Sequence, residues 1–174
     1  MSILKISRLG HPILLQKTKL VKNITGNDVK KIINDMSETM LDAKGIGLAA
    51  PQVHINKQIM IFRTPEEEVE KEIKITALIN PKLTKLSDET NNEWEGCLSI
   101  PGMLGLVKRF SEIRYEGYDM SGKIIRREAE GMHARVVQHE FDHLMGILYI
   151  NRLADKNAYG FADEIEKFWN KKEE

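Results

Sequence analysis

The chain is poor in several features that would mark particular protein classes. Its 174 residues include one cysteine, Cys97, so no internal disulfide can form. That suits a reducing compartment such as the cytoplasm. No apolar run approaches the roughly 20 residues of a membrane-spanning helix, so no membrane partner is expected. Neither sign of charge prevails. Lys and Arg number 26 and Asp and Glu number 26, giving a formal net charge of zero. This excludes nucleic-acid binding driven by a positive field over the whole domain, and no sequence-specific nucleic-acid contact is expected. There is no internal repeat and no low-complexity tract. What is present is an ordinary globular composition, 41% hydrophobic and 30% charged. The length suits a single domain over residues 1–174 with one substantial core.

The first 27 residues carry five Lys or Arg and no acid. That is faintly like a transit peptide, but polar residues, Gly10 and Pro12 interrupt "ILKISRLGHPILL". The segment is expected to stay in the fold. Val29, Ile32, Ile33, Met36 and Met40 recur at helical spacing and predict a helix over about 27–42, capped by Thr25 or Asn27. Gly45 and Gly47 then break the pattern. "QIMIF" (58–62) and "IKITALI" (73–79) predict buried strands, bounded by Pro65 and by Asn80-Pro81. The acidic run "EEEVEKE" (66–72) reads as a solvated loop or strand edge. "SEIRYEGYDMSGKIIRREAEG" predicts a hairpin turning at Ser121-Gly122, with Lys123, Arg126 and Arg127 facing solvent. A helix is predicted from about Met132 to Met145. Another runs from about Asp155 to Asn170, with Phe161, Ile165, Phe168 and Trp169 on one face. Together these predict an α+β fold. Largely antiparallel β-sheets surround a central helix carrying "HEFDH", with an N-terminal and a C-terminal helix.

The central helix carries the chemistry. His139 and His143 are four apart, about 40° around a helix axis, so both imidazoles can reach one ion. Glu140 lies at the edge of that face, beside any metal-bound water, which is the position of a general base. The plainer reading is a surface helix with two unremarkable histidines. A third ligand must come from elsewhere. In one arrangement a histidine stands ten residues after the first, following a glycine; Gly146 is in place, but Tyr149 occupies the histidine position. Another arrangement uses a downstream glutamate, and Glu164 and Glu166 are available on the last helix. Cys97 is the remaining candidate. A lone cysteine is more often a small buried hydrophobe. Gly96 before it and Ile100-Pro101-Gly102 after it form a turn-rich strand end that can hold a sulfur rigidly. One sulfur and two imidazoles would suit Zn²⁺ or Fe²⁺ and leave a position for water. Spacing alone gives metal-assisted hydrolysis and no substrate. A metalloprotease and a non-catalytic structural metal module remain alternatives on this reading.

Three stretches together resemble peptide deformylase. They are "GIGLAAPQ" (45–52), "EGCLS" (95–99) and "QHEFDH" (138–143), in the family's order and at its separations. "LINP" (78–81), the hairpin and "LMG" after the helix extend the likeness over nearly the whole chain. Two positions depart from many relatives. Gly10-His11 stands where an acid is common, and Arg135 replaces an apolar residue of some branches. Both are expected to concern the rim of the pocket and not the chemistry.

The resemblance implies removal of the formyl group from the N-terminal formyl-methionine of newly made polypeptides, with release of formate, in a bacterial-type cytoplasm. Nascent chains are the implied partner, and contact with the ribosome is plausible for such an enzyme. It implies one divalent ion, Fe²⁺ or Zn²⁺, on Cys97, His139 and His143, and attack of a metal-bound water with Glu140 as base and then acid. The oxyanion donors would be the side chain of Gln52 and the backbone N–H of Leu98. Ile46 and Gly47 would flank the substrate methionine, with Met132 and Val136 lining its slot. Gly45 and Gly47 would let the substrate backbone lie close as an added strand. Glu95, Arg109 and Asp142 would form an ion cluster supporting the ligands. A plain surface salt bridge is the duller reading of those three.

Overall fold

A computed structural model of the chain describes residues 2–64 and 74–169. The acidic run 66–72 lies outside the described residues. Helix α1 spans Asn27–Asp42, as its apolar spacing requires. Val29, Ile33, Met36 and Met40 form its buried stripe. Its N-cap is Gly26, not Thr25 or Asn27, and no side chain caps it. Asp28 in the first turn instead places a negative charge near the unpaired N–H groups.

Five antiparallel strands form the larger sheet: β1 (Gly47–Ala49), β2 (Ile59–Phe62), β3 (Thr76–Lys85), β6 (Glu112–Tyr118) and β7 (Ile124–Glu130). They lie in the order β1-β2-β3-β6-β7. The run "IMIF" of β2 is apolar throughout because both faces of the sheet are covered. Ile59 and Ile61 pack with α1, while Met60 and Phe62 face the opposite way with Leu78, Ile113 and Tyr115. Strand β3 continues past Asn80-Pro81, where the sequence suggests a stop. The register with β6 shifts between Ile79 and Lys82, and Asn80 has φ 52°. A proline that cannot donate is accommodated at such a bulge. The Asn80 side chain accepts from the Val21 N–H at 2.8 Å and donates to the Val21 carbonyl at 2.9 Å, doing the pairing a strand would do.

The hairpin β6–β7 turns at residues 119–123, with Gly122 at φ 82°. Arg126 on it is exposed and paired with Glu116. The smaller sheet joins β4 (Thr90–Cys97), β5 (Ile100–Phe110) and β8 (Tyr159–Phe161) in that order, again antiparallel. Helix α2, Gly131–Leu144, packs against both sheets and is buried at residues 134–140 and 142–144. Helix α3 is much shorter than its pattern suggests, Ala162–Phe168, because β8 takes the preceding residues to pair with β5. Only Ile165 of the expected apolar face is buried; Phe161, Phe168 and Trp169 are exposed.

The basic N-terminal segment packs into the fold. Ser7 N–H donates to the Gln52 carbonyl at 2.7 Å, Leu9 N–H to Ser99 at 2.8 Å and Thr18 N–H to Leu144 at 2.9 Å. His11 is not among the residues that line the cleft described below. Its Nδ1 accepts from the Ile13 N–H at 3.2 Å and caps a short 3-10 turn, the work an acid would do. No helix among the described residues is long and apolar enough to cross a membrane.

Gly146, just past α2, has φ 74°, and a Cβ there would meet the Leu15 carbonyl carbon at 2.7 Å. Gly131 has φ 55° but nothing among the described residues within 4 Å of the same position. Gly146→Ala is therefore expected to cost about 2–4 kcal/mol and Gly131→Ala about 1 kcal/mol. Urea unfolding at equal metal load measures both. Equal midpoints for the two variants would show that the Leu15 contact is not tight.

Candidate metal centre and catalytic cleft

Helix α2 brings His139 and His143 side by side, ring centroids 5.0 Å apart. Strand β4 ends at Cys97, where its register with β5 shifts. The Cys97 Sγ lies 3.3 Å from His143 Nε2. One donor atom from each of Cys97, His139 and His143 lies within 4.8 Å of the others, a cluster able to hold a metal ion. The donor set, one sulfur and two imidazole nitrogens, fits a divalent transition ion. Two N–H groups also point at the sulfur: Gln52 Nε2 at 3.5 Å and Ser99 N at 3.4 Å. Glu164 and Glu166 are exposed on α3 and are not part of this cluster. Tyr149, at the position of a third histidine, is fully buried and stacks on His139 with ring centroids 6.1 Å apart.

The supporting charges are buried, not a surface salt bridge. Glu95 accepts from Arg109 Nε and Nη2, both at 2.9 Å, and from Arg135 Nη1 at 2.7 Å. His139 Nδ1 lies 2.9 Å from the same carboxylate; an N–H there leaves Nε2 for coordination. Burial alone would raise the Glu95 pKa, but the Arg109 and His139 hydrogen bonds outweigh it and hold the carboxyl well below the usual range. Arg109 also bonds Asp142, which accepts from Arg152 Nε at 3.0 Å and Nη2 at 2.8 Å. Arg135 corrects the expectation of a rim position. It lines the cleft, but it is 3% exposed and tied to Glu95, to Asn91 and to the Val107 carbonyl. Its place four residues before His139 on the same helix face was the available signal. Nothing in the sequence marks Arg152, and Ser99 is marked only as the last residue of "EGCLS".

Glu140 is 3% exposed, and its Oε2 has no hydrogen-bond partner among the described residues. Burial is the main cause that raises its pKa to about 7; the Glu95 charge adds to the rise, and the His139 and Arg109 charges oppose it. Gly47 makes room for this carboxylate. A Cβ on Gly47 would lie within 2.8 Å of Glu140 Cδ and Cγ and closer still to Oε1. The sequence assigned Gly47 to the substrate's backbone; the tighter constraint comes from Glu140. The pKa values of the two imidazoles are shifted in opposite directions. Burial disfavours charge on His139, but hydrogen bonds to Cys97 and Glu95 prevail and raise its pKa well above the ordinary value. Burial, then the His139 and Arg109 charges, push that of His143 well below it.

Gln52 is 1% exposed, and its orientation is fixed. Oε1 accepts from the Ala49 N–H at 2.8 Å, which turns the NH₂ toward Cys97 and Ser99 Oγ. Ile46, Gly47, Leu98, Met132 and Val136 line one cleft of about 510 Å³, together with Cys97, His139 and Glu140. Ile46 and Met132 are 41% and 43% exposed at its mouth, and Val136 is buried. The cleft touches both β1 and β4, each the edge strand of its sheet.

The sequence profile of the family described as polypeptide deformylase matches residues 3–159. "Peptide deformylase 1" of Bordetella pertussis is 46% identical over 166 residues, covering 92% of this chain and 93% of the relative. Among solved structures, peptide deformylase from Thermotoga maritima superposes with a TM-score of 0.82 at 35% identity, covering 89% of this chain and all of that one. A class I type b peptide deformylase from Acinetobacter baumannii, solved with Met-Ala-Ser bound, gives a TM-score of 0.78 at 31% identity over 88% of this chain and all of that one. With the cleft, the metal-binding cluster and matches of this extent in hand, the chain belongs to the peptide deformylase family.

Proposed function

We propose that this protein removes the formyl group from the N-terminal formyl-methionine of newly synthesised polypeptides and releases formate. Cys97, His139 and His143 would hold one divalent ion, Fe²⁺ or Zn²⁺. The observation that carries the reading is Glu140, whose partnerless carboxylate oxygen is buried beside that donor set on an open cleft. A divalent ion bound there supplies Lewis acidity and brings the pKa of a water toward neutrality.

The rest falls to the chain's own groups. Glu140 takes the proton of the attacking water and returns it to the departing amine. Gln52 Nε2 and the Leu98 N–H donate to the developing oxyanion, and one such donor is worth roughly 3–4 kcal/mol in the transition state. Glu95, held by Arg109 and Arg135, keeps His139 in the orientation a ligand needs. Asp142 anchors Arg109 from the other side. The edge of β1, which has no strand partner among the described residues, offers its backbone to an extended peptide, Ile46 and Gly47 flank the methionine, and Met132 and Val136 line its slot. Met-Ala-Ser in the Acinetobacter baumannii relative is a chain of that kind, with methionine first. A formyl carbon carries only hydrogen where a peptide carbonyl carries a chain, so a narrow pocket favours the first. Such substrates place the enzyme in a bacterial-type cytoplasm, near the ribosome that makes them.

The direct test incubates anaerobically prepared protein with formyl-Met-Ala-Ser and its unformylated twin and assays formate. Glu140→Gln should keep fold and metal content while losing about 10²–10⁴ in kcat, or more, because one carboxylate serves both proton transfers. Turnover equal to the parent's would remove Glu140 from the mechanism.

Gly47→Ala should lose on the order of 10² in kcat, because the added carbon displaces the Glu140 carboxylate from its aligned position. Metal analysis and far-UV circular dichroism should be unchanged. Full activity would mean that the carboxylate can sit elsewhere.

A base must be ionised, so kcat/KM should fall as pH drops through the Glu140 pKa. Burial sets that value to about 7 in the protein alone. A cation bound beside the carboxylate would lower it, so the acidic limb of the loaded enzyme is expected at or below neutral pH. A pH–rate profile from about pH 5 to about pH 9 locates it. A limb centred above 7 counts against Glu140 as the base.

A further inference from the structure

Helix α2 borders two cavities with two different faces. Met132, Arg135, Val136 and His139 line the catalytic cleft. Gln138, Phe141, Asp142 and the capping Met145 repeat the same i, i+3, i+4, i+7 spacing about 120° round the axis. They line a separate groove of about 650 Å³, completed by β3, β5 and the chain just past α2. The groove shares no lining residue with the catalytic cleft. Its wall is apolar: Leu83, Phe110, Phe141, Met145, Ile147 and Leu153 all line it, and all are half-buried. Large apolar side chains left half-covered on one concave surface and rimmed by charge mark a contact site.

The charges of the rim say what kind of ligand fits. Lys85, Lys108, Arg109 and Arg152 line the groove against two carboxylates, Asp88 and Asp142. Asp88 pairs with Lys85, whose ammonium also lies over the Phe110 ring. Asp142 pairs with both Arg109 and Arg152. Glu95, which faces the catalytic cleft, takes the rest of the Arg109 guanidinium. Lys108 is exposed and has no ion-pair partner among the described residues. One positive charge is therefore left over beside an apolar wall. The floor is preformed, because Arg109 and Asp142 are buried and bonded to each other, and a preformed surface costs little ordering on binding.

We propose that this groove is a second binding site, for a small monocarboxylate with an apolar body. The carboxylate sits at Lys108, and the body covers Phe110, Phe141 and Met145. A neutral apolar molecule leaves the lysine unmatched, and a cation adds to the surplus. A dianion brings a second charge that the groove does not balance and that still loses its water. A cavity of this size suits a drug-sized molecule. The site is independent of the deformylase reading, since none of its lining residues borders the catalytic cleft.

The experiment titrates the full, metal-loaded chain calorimetrically with 4-(biphenyl-4-yl)butyrate and with its neutral amide. The acid has about 18 non-hydrogen atoms and should bind with a Kd of about 0.1 mM. The amide, equal in shape but uncharged, should bind about tenfold more weakly or less. Lys108→Glu should cost the acid about tenfold or more, while Lys108→Arg, which keeps the charge, stays within about twofold. Lys17→Glu makes the same change of net charge outside the groove and should leave binding unchanged. Saturating Met-Ala-Ser, a probe for the catalytic cleft, should not displace the acid. Displacement by Met-Ala-Ser would move the ligand to the cleft and overturn the site. Equal binding of acid and amide, or no binding of the acid, also overturns it. So does a Lys108→Glu protein that binds as the parent does. The comparison of acid with amide needs no variant, so it decides the site even if Lys108→Glu disturbs the fold.

Discussion

The structure depends on one buried helix that is not apolar. Arg135, Gln138, His139, Glu140, Asp142 and His143 of α2 are all buried between the two sheets. A buried polar group costs free energy unless it is paired, and a buried charge costs more. Much of the surrounding architecture supplies those pairs. Strand β4 brings Glu95 to Arg135 and His139, and β5 brings Arg109 to Asp142. Gln138 bonds the Phe110 backbone on both its donor and its acceptor side. The exceptions to this pairing are as informative as the rule. Among the described residues, His143 Nδ1 and Glu140 Oε2 lack hydrogen-bond partners, and both belong to the stretch proposed to carry the chemistry.

That constraint also shapes the cleft. Two sheets packed on one helix leave the edges of β1 and β4 on either side of the donor cluster. Edge strands present unpaired backbone groups, usually a liability. Here they border a cleft whose proposed occupant is an extended peptide, for which such an edge is a template. The glycines that look like substrate clearance in the sequence have a second job. Gly47 leaves space for a carboxylate, and a Cβ on Gly45 would press on Leu98 at 2.9 Å. The proposed base and the backbone proposed to face the substrate therefore compete for the same few ångströms.

Much of this was legible in the chain itself, and the failures have physical causes. Helix α1 and the hairpin were readable because a strict period of 3.6 or 2 ends at glycine or a turn. The reach of α3 was misjudged because helical spacing of Phe161, Ile165 and Phe168 says nothing about competition from a neighbouring strand edge. Strand β8 won residues that local pattern gave to the helix. Asn80-Pro81 looked like a terminus because a bulge stabilised by a side chain from outside the sheet has no local signature. Arg135 looked like a rim residue because burial of an arginine depends on which acids lie opposite.

The sequence by itself determined the donor types, the one-turn spacing of His139 and His143, and the nearby Glu140, since helix geometry follows from residue number alone. Its three motifs also carried the family resemblance. Only the tertiary structure decided what meets those side chains. It brought Cys97 to His143 across 46 positions, gathered two arginines on Glu95, and pressed Gly47 against Glu140. These juxtapositions come from strand register and sheet-on-helix packing, which join residues far apart in the chain and leave no periodic trace in it.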